Sequence, residues 1–373
     1  MNILIFLIIL LVVVLVHEFG HFFAAKKFGM RVDEFGFGFP PKLFGIKKGE
    51  TEYTFNLLPL GGFVKIFGEN AEEEIQTPPP NPLPKEEGER FTDKPKYQQG
   101  IVIFAGVFMN FILAWLLFSV GFMIGLPISS GAVTEKNKDK IQDISLVITS
   151  VLPNSPAEKA GLKMGDKILS IDLLENPTPQ SLKDYINLNQ KEKIIINYTN
   201  TNNNSISQTT SLTPQNVILT PIDGKIGIAM EEVGIIKLPI LEALKDGMRI
   251  TLLTARGMVI GLYDLISDGI RGRGSLDAVA GPVGIVGIVG DAYRSGFVYL
   301  LSFTAIISIN LAVINLIPFP ALDGGRLFFI LIEKIKGSAI NPKVFNIINA
   351  SGFIILLALM LFVTYNDIIK LII

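Results

Sequence analysis

The sequence predicts a polytopic α-helical membrane protein of about four spans, with an inserted α+β domain and a short membrane-associated β-hairpin. Hydrophobic residues make up 49% of the 373 residues, charged residues only 18%, and the mean hydropathy is +0.47. Several apolar runs come close to the roughly 20 residues that cross a bilayer. A long polar stretch lies between the second run and the third. The combination is typical of a membrane protein with a soluble insert and excludes an ordinary globular enzyme.

Charge and cysteine content exclude further classes. The net charge is −1, which gives no case for a nucleic-acid partner. The chain has no cysteine, so disulfides and thiolate metal ligands are excluded.

The first predicted span covers about residues 2–25. It resembles a signal peptide in hydrophobicity but lacks a basic start, so we expect a retained span. Lysines and arginines follow it, which places the next loop in the cytoplasm and the amino terminus outside. The span holds the only two histidines of the chain, His17 and His21, with Glu18 between them.

These three residues suggest a metal site. Side chains four apart share one helix face, so both imidazoles can point at one zinc ion while Glu18 holds a polarised water. The alternative is two buried histidines with ordinary hydrogen-bond partners. Ionisable groups at membrane depth are costly and usually functional, which favours the zinc interpretation.

The cytoplasmic loop contains a second pattern. Residues 51–67 predict two short strands, with the turn supplied by Pro59 and the glycines that follow it. The hairpin either only packs at the membrane interface or offers a strand edge that pairs with an extended substrate. The candidate substrate-pairing residues are Gly61, Gly62, Phe63 and Val64.

A polar interval leads to the second span. Residues 70–97 are rich in glutamate and proline and predict a solvated linker without function. The second span is predicted over about 101–125. Asn110 lies in its middle, where it has either a catalytic role or a hydrogen bond to another helix.

Residues 126–236 predict a small α+β domain on the outer side of the membrane. A short helix is expected over 156–160 and a strand over 167–171, with a turn at Gly165 and Asp166 between them. Further strands are expected over 145–151, 193–198 and 226–230, and a hairpin loop over 200–205.

The remaining chain returns to the membrane. Residues 238–266 repeat apolar side chains at spacings of three and four, which predicts an amphipathic helix at the outer interface. A fifth span is the competing interpretation, which Arg256 and Asp264 disfavour. The Gly-rich segment that starts at Gly281 is too short and broken to span alone. The third and fourth spans are predicted over about 297–317 and 347–363.

These elements divide the chain into four predicted regions. The first contains two spans, the hairpin and the linker, the second is the inserted domain, the third is interfacial and the fourth contains the last two spans. Their boundaries are 1–125, 126–236, 237–296 and 297–373.

A catalytic zinc site needs three protein ligands, and the third must here be a carboxylate. Two prolines break the third span, and a Gly-Gly pair follows, which places Asp323 on irregular backbone at the edge of the membrane. The first and third spans run in the same direction, so His17, His21 and Asp323 share a depth. We predict these three as the ligands and Glu18 as the general base. Other carboxylates, less constrained by this topology, are Asp33, Glu34, Glu52 and Glu69.

Two residues of this segment keep an alternative interpretation. Asp323 is either a ligand or the cap of a cytoplasmic helix. Asn315, about two turns earlier, either donates to an oxyanion and orients substrate or makes a structural bond within the bundle.

The motifs together resemble the site-2 proteases, a family of intramembrane zinc metalloproteases. The likeness covers nearly the whole chain, and residues 151–172 are similar to the core of a PDZ domain in the same position. Departures are an insert with room for one PDZ domain, Val107 where relatives often have proline, and Leu173 where they usually have glycine. The matching motifs are HEFGH at 17–21, GGFVK at 61–65 and NLIPFPALDGG at 315–325.

The resemblance implies cleavage of single-span membrane proteins in or near the bilayer, usually after another protease has trimmed the outer part. It implies zinc on His17, His21 and Asp323, with Glu18 as base, and it favours Asn315 and the 51–67 hairpin as substrate contacts. The PDZ-like domain would bind carboxyl-terminal peptides or act as a size filter. The expected location is the bacterial inner membrane, in contact with lipid, with both chain ends outside.

Two other functions compete with the protease. In a catalytically silent membrane scaffold the PDZ-like domain would act alone, although all the catalytic residues are present. In a transporter the buried histidines and carboxylates would line an ion path, but we find no internal repeat, and a glutamate between the ligands has no purpose there.

Overall fold

The computed structural model describes residues 1–69, 89–152, 155–189, 192–199, 215–221, 225–272 and 281–372. The helices, in chain order, are α1 (Asn2–Lys27), α2 (Lys96–Ile124), α3 (Pro156–Lys159), α4 (Pro179–Leu188), α5 (Ile240–Ile270), α6 (Pro282–Ser295), α7 (Phe297–Asn315), α8 (Asp323–Lys336) and α9 (Pro342–Ile372). The strands are β1 (Val32–Lys48), β2 (Thr51–Ile66), β3 (Leu126–Ser129), β4 (Ile141–Val151), β5 (Lys167–Ile171), β6 (Leu174–Glu175), β7 (Ile194–Thr199), β8 (Gln215–Leu219) and β9 (Ile228–Ile236).

Among the described residues, five helices are long and apolar enough to cross a membrane: α1, α2, α5, α7 and α9. A membrane protein with an inserted β-domain is therefore confirmed. Helix α5 covers the segment predicted to be interfacial, so a fifth candidate joins the four predicted spans. Its placement at the interface stays a prediction.

Three segments differ from the sequence-based expectation. The Gly-rich segment from Gly281 contains the 14-residue helix α6, and α9 is longer than the predicted fourth span. Residues 70–88 of the predicted linker lie outside the described residues. The rest of that stretch is ordered: Phe91 is buried, the Glu89 N–H donates to the Gly29 carbonyl at 2.8 Å, and α2 begins at Lys96. The predicted linker was thus too long at its carboxyl end.

The chain divides into two compact units. The first contains Met1–Leu117, Thr251–Gly290 and Phe303–Ile373. The second contains Phe118–Ile250 and Asp291–Ser302.

In the first unit, β1 and β2 form a sheet that the sequence analysis recognised only in part. The chain reverses at Gly49, which has a left-handed φ of +65°. It reverses again near Pro59, as predicted, because residues 52–55 run parallel to 34–37 and residues 62–65 run antiparallel to them. Residues 34–37 of β1 have Cα partners in two stretches of β2, 52–55 and 62–65. The two halves of the predicted hairpin therefore pair with β1 and not with each other. β1 was missed because its glycines and prolines disfavour strands by composition.

The second unit is an α+β domain. Its described strands form a seven-stranded antiparallel sheet in the order β3-β9-β4-β5-β7-β8, with β6 paired to β5. The Thr178 side chain accepts from the Ser181 N–H and caps α4. The predicted helix and strand after residue 155 are confirmed as α3 and β5. The predicted hairpin loop at 200–205 lies outside the described residues, and the likeness to a PDZ domain stays a prediction.

The core of this domain is aliphatic. It lies between the strands and the helices α3 and α4, because alternate strand residues and one helix stripe point inward. Its fully buried members are Ile148, Ala157, Ile171, Leu182 and Ile196.

Candidate active site

Helix α1 presents the two histidines on one face. Its buried positions include Val13, His17, Gly20 and Ala24, which follow the three- and four-residue spacing of a helix stripe. The Nε2 atoms of His17 and His21 lie 3.2 Å apart, and the two rings meet edge to face. The predicted shared face is thus present.

Asp323 completes a group of three ligand atoms. Its Oδ2 lies 3.0 Å from His17 Nε2 and 3.3 Å from His21 Nε2. Ligands that hold one zinc ion tetrahedrally at about 2.0–2.1 Å lie about 3.3 Å from each other. Asp323 Oδ2 is also buried without a hydrogen-bond partner in the described chain, an unsatisfied state that a cation would relieve. The donor set and its spacing therefore fit zinc.

Asp323 reaches the histidines from the start of α8, and not from irregular backbone as predicted. Its carboxylate faces the two imidazoles, so Asp323 begins the helix and is also placed as a ligand candidate. The break between α7 and α8 needs its glycines: a Cβ on Gly324 would lie 2.3 Å from the Ile317 carbonyl oxygen, and one on Gly325 would lie 2.2 Å from that of Phe319. Any larger residue would open this turn and move Asp323.

The backbone of α2 fixes the protonation of His21. The His21 Nδ1 lies 2.9 Å from the Val102 carbonyl oxygen, which can only accept. Nδ1 therefore carries a proton. In the neutral imidazole the lone pair is then at Nε2, the atom that faces Asp323 and His17. This is the tautomer that a metal ligand requires.

Two glycines bring α1 and α2 close enough for this contact. A Cβ on Gly20 would lie 2.3 Å from the Ala105 carbonyl oxygen. A Cβ on Gly106 would lie 2.3 Å from His21 Nε2. The imidazole of His21 therefore occupies space that any residue other than glycine at position 106 would fill.

One cavity of about 490 Å³ is lined by the predicted ligands, the predicted base and the predicted substrate contacts. Asn315 approaches the ligands, with its Nδ2 3.5 Å from His17 Nε2. The lining includes the three ligand candidates and Glu18, together with Gly61, Gly62, Phe63, Val64 and Asn315.

The end of β2 lies directly over Glu18. A Cβ on Gly62 would lie 3.1 Å from Glu18 Cγ and 3.2 Å from the Gly36 carbonyl oxygen. Residues 62–66 pair with β1 on one side, and no further strand among the described residues pairs with them on the other. The strand edge beside Glu18 therefore has no strand partner within the described part of the chain.

The carboxylates considered as alternative ligands are engaged elsewhere. Asp33 accepts from Arg31 at 2.6 Å, and Glu34 accepts from the Thr54 hydroxyl at 2.5 Å. Glu52 pairs with Lys42 and Glu69 with Arg326.

Sequence reasoning missed the ion pair between Glu69 and Arg326. Both line the cavity, and the Glu69 carboxylate raises the pKa of Arg326. Arg326 follows Asp323 by three residues, so the two share a helix face, and this spacing was the available signal. Glu69 is separated by more than 250 residues from its partner, a pairing that no local pattern predicts.

Comparisons with known proteins agree with this geometry. Residues 5–359 match the model of peptidase family M50. The chain is 35% identical over 362 residues to a putative zinc metalloprotease of Clostridium perfringens, with 95% of each chain covered. It is 30% identical to the zinc metalloprotease RasP of Geobacillus kaustophilus, covering 98% of this chain and 97% of the relative. It is 29% identical to the regulator of sigma E protease of Haemophilus influenzae, with 98% of each covered.

Proposed function

We propose residue roles and a substrate class for this chain, which belongs to peptidase family M50, the site-2 protease family, and is an intramembrane zinc metalloprotease. Its substrates are proposed to be single-span membrane proteins, cut within the transmembrane segment. One observation carries the proposal: two imidazole nitrogens and a carboxylate oxygen converge on a cavity that also holds Glu18 and an open strand edge.

The proposed roles follow from the position of each group. His17, His21 and Asp323 hold the metal. Zinc, when bound, polarises a water molecule and the carbonyl of the peptide bond to be cut. Glu18 accepts the proton of the attacking water and then delivers it to the leaving amine. Its place between the two ligands on α1 keeps it beside the reacting atoms throughout.

The strand edge of β2 provides a way to present the substrate. A peptide bond inside a helix is shielded by its own turn, so a transmembrane helix must become extended before it can be cut. Extended backbone in lipid loses its hydrogen-bond partners, which is costly. Residues 62–66 would supply new backbone hydrogen-bond partners to the extended substrate by strand pairing beside Glu18. Such bonds depend little on the sequence of the substrate.

Asn315 is proposed to contact the reacting carbonyl. Its Nδ2 lies 3.5 Å from His17 Nε2, so its amide reaches the place where negative charge develops on the carbonyl oxygen. The alternative of a purely structural bond within the bundle predicts stability loss without loss of turnover when Asn315 is replaced.

We assign the chain to the bacterial inner membrane, with the inserted domain and both ends outside. The basic residues of the loop after α1 support this orientation. α1 and α2 run antiparallel, since Asn110 lies near His17 and Val102 near His21. If α5 crossed the membrane, α6 would have to cross back before α7 begins. At 14 residues, α6 is about 21 Å long, too short for this, so α5 is proposed to be interfacial.

The PDZ-like domain is proposed to act on the outer part of the substrate. It would either bind a carboxyl end exposed by an earlier cut or exclude bulky outer domains by size. Both actions require a substrate with a short outer tail, so the domain would make cleavage depend on previous trimming.

The test is cleavage of a single-span reporter with a short outer tail, by the parent and by Glu18→Gln in membranes. The amide retains the shape of the side chain but removes the base, so we expect cleavage to fall about 100- to 10,000-fold. Zinc content, measured on the purified proteins, should be equal. The parent should cut inside the reporter span, and chelation followed by added zinc should abolish and restore the activity.

Other outcomes would reject the proposal. Equal cleavage by both proteins would show that Glu18 is not the base. Cuts only in the soluble tail would reject the substrate class. If neither protein cuts this reporter or a panel of signal-peptide remnants while zinc is bound, the scaffold function is favoured.

A further inference from the structure

We propose that Asn110 is a positioning residue for the metal ligand His17, and that its side-chain oxygen accepts the N–H of His17 Nδ1. The proposal rests on the ligand role of His17. It assigns Asn110, which the sequence analysis left between a structural and a catalytic role, to the orientation of the metal site.

The first support is the position of Asn110. It is fully buried in the part of α2 that packs against α1, and its Nδ2 lies 3.3 Å from His17 Nδ1. Its Oδ1 is buried and has no hydrogen-bond partner among the described residues. A carboxamide placed at this depth is expensive unless its polar atoms are used.

The second support is the tautomer of His17. His17 Nε2 faces His21 Nε2 and Asp323 Oδ2, so a ligand role requires its lone pair there and its proton at Nδ1. An N–H at Nδ1 needs an acceptor, and an amide NH₂ is only a donor. The oxygen and the NH₂ group of a carboxamide have nearly the same shape. A 180° rotation of the Asn110 amide about its Cβ–Cγ bond therefore brings Oδ1 to His17. This rotation breaks no hydrogen bond between Oδ1 and the described part of the chain, because that part offers Oδ1 no partner.

The third support is the parallel with His21. Val102 and Asn110 lie eight residues apart on α2, about two helical turns, and therefore on one face. His21 Nδ1 meets the carbonyl of Val102, and His17 Nδ1 meets the side chain of Asn110. Helix α2 thus provides one acceptor for each imidazole, and both Nε2 atoms are left for the metal.

Asn110 is itself held in place. The buried hydroxyl of Ser308, on α7, donates to the Asn110 backbone carbonyl at 2.9 Å. This bond fixes the backbone of α2 at that position and does not involve the side-chain amide of Asn110. Ser308 is therefore the matched control, because its removal changes the same helix contact and leaves the proposed bond to His17 intact.

The experiment compares the full-length parent, Asn110→Leu, Asn110→Asp and Ser308→Ala, purified in detergent. Zinc affinity is measured by competition with a chelating dye. Loss of a partner that orients a metal-bound histidine typically lowers affinity about 10- to 100-fold, which we expect for Asn110→Leu. Asn110→Asp should retain most of the parent affinity, because a carboxylate also accepts from Nδ1. Ser308→Ala should bind zinc like the parent.

A second readout does not depend on enzyme activity. The chain has only two histidines, so a spectrum of ¹⁵N-histidine-labelled protein contains four ring nitrogens. We expect the zinc-loaded parent to show a protonated Nδ1 on both rings. In Asn110→Leu the Nδ1 proton of His17 should shift and exchange faster with water, whereas that of His21, bonded to Val102, should not change.

Three results would overturn the proposal. Asn110→Leu that melts earlier but binds zinc like the parent would make Asn110 a structural contact only. Asn110→Asp that loses zinc as readily as Asn110→Leu would mean that the amide donates to His17. An unprotonated Nδ1 of His17 in the zinc-loaded parent would reject the tautomer directly, even if the leucine variant failed to fold.

Discussion

The membrane helices bury more small and polar side chains, beside apolar ones, than the core of the inserted domain does. The core of the inserted domain is made of large aliphatic residues such as Ile148, Ile171 and Leu182, all fully buried. On α1 large apolar residues such as Ile3 and Leu4 are 65% and 57% exposed, whereas His17 and Gly20 are buried beside Ile9 and Val13.

The difference follows from the solvent. In water, apolar surface is driven inward. In lipid that driving force is absent between helices, so interfaces collect small residues that allow close approach and polar residues that bond across. α7 shows the same pattern, with Thr304, Ala305, Ser308 and Ala312 among its buried residues. A polar or small residue in an apolar run therefore marks the inner face, the reverse of the rule for the inserted domain.

The largest effect is expected from Gly106→Ala, which adds one methyl group to α2 where it crosses α1. Its Cβ would lie 2.3 Å from His21 Nε2, so the imidazole must leave its position. We expect zinc affinity to fall on the order of 100-fold or more, with cleavage lost in parallel. Chelator competition and reporter cleavage measure the two effects.

The matched control is Gly100→Ala on the same helix. Its Cβ would meet only Leu327 Cδ2, at 3.9 Å, which is ordinary contact. This variant should bind zinc normally and be slightly more stable, since alanine is favoured over glycine in helices. Parent-like zinc affinity in Gly106→Ala would contradict the close crossing of α1 and α2.

The inserted domain should respond to loss of volume instead. Leu182 is fully buried in α4, so Leu182→Ala should destabilise the domain by about 2–5 kcal/mol. Leu188, on the same helix and 84% exposed, should tolerate alanine within about 0.5 kcal/mol. Hydrogen exchange of β5 measures the loss, and zinc affinity should be unchanged in both variants. Loss of zinc in Leu182→Ala would remove the contrast between the two regions.

The smallest expected effect concerns a buried charge in the inserted domain. Burial raises the pKa of Asp166, although its carboxylate accepts from the Lys163 N–H at 2.8 Å. A raised pKa means that the folded state holds the proton more tightly than the unfolded state. Stability from this group is therefore greatest in acid and is lost as the pH rises past the folded pKa.

Asp166→Asn should remove this pH dependence, because the amide oxygen still accepts from Lys163 but does not ionise. Between mild acid and neutral pH, we expect the stability of the variant to rise relative to that of the parent. The difference should be smaller than the destabilisation expected for Leu182→Ala. Thermal unfolding from pH 3 to pH 8 measures the difference. A parent that gains stability relative to the variant over this range would contradict the sign.

Sequence patterns predicted the ionisable groups that converge on the cavity, but not the contacts that hold those groups in place. The spacing of His17 and His21 is visible in one helix, and Asp323 followed from the direction of two spans. Val102 contributes only a carbonyl, and Asn110 pairs with a residue 93 positions away, so neither is visible without the fold. β1 was missed because glycine and proline in 32–48 hide a strand that long-range pairing with β2 stabilises. In the inserted domain, where alternation and capping are local, the helix and strand near 156–171 were predicted closely.

The crossing of α1 and α2 has a consequence for how this sequence can evolve. A glycine can mutate only to a larger residue. At Gly20 and Gly106 even alanine would meet the Ala105 carbonyl oxygen or the imidazole of His21. Lipid-facing positions such as Leu4 accept many apolar residues. The positions that tolerate the fewest substitutions thus include Gly20 and Gly106, which have no side chain and take part in no chemical step.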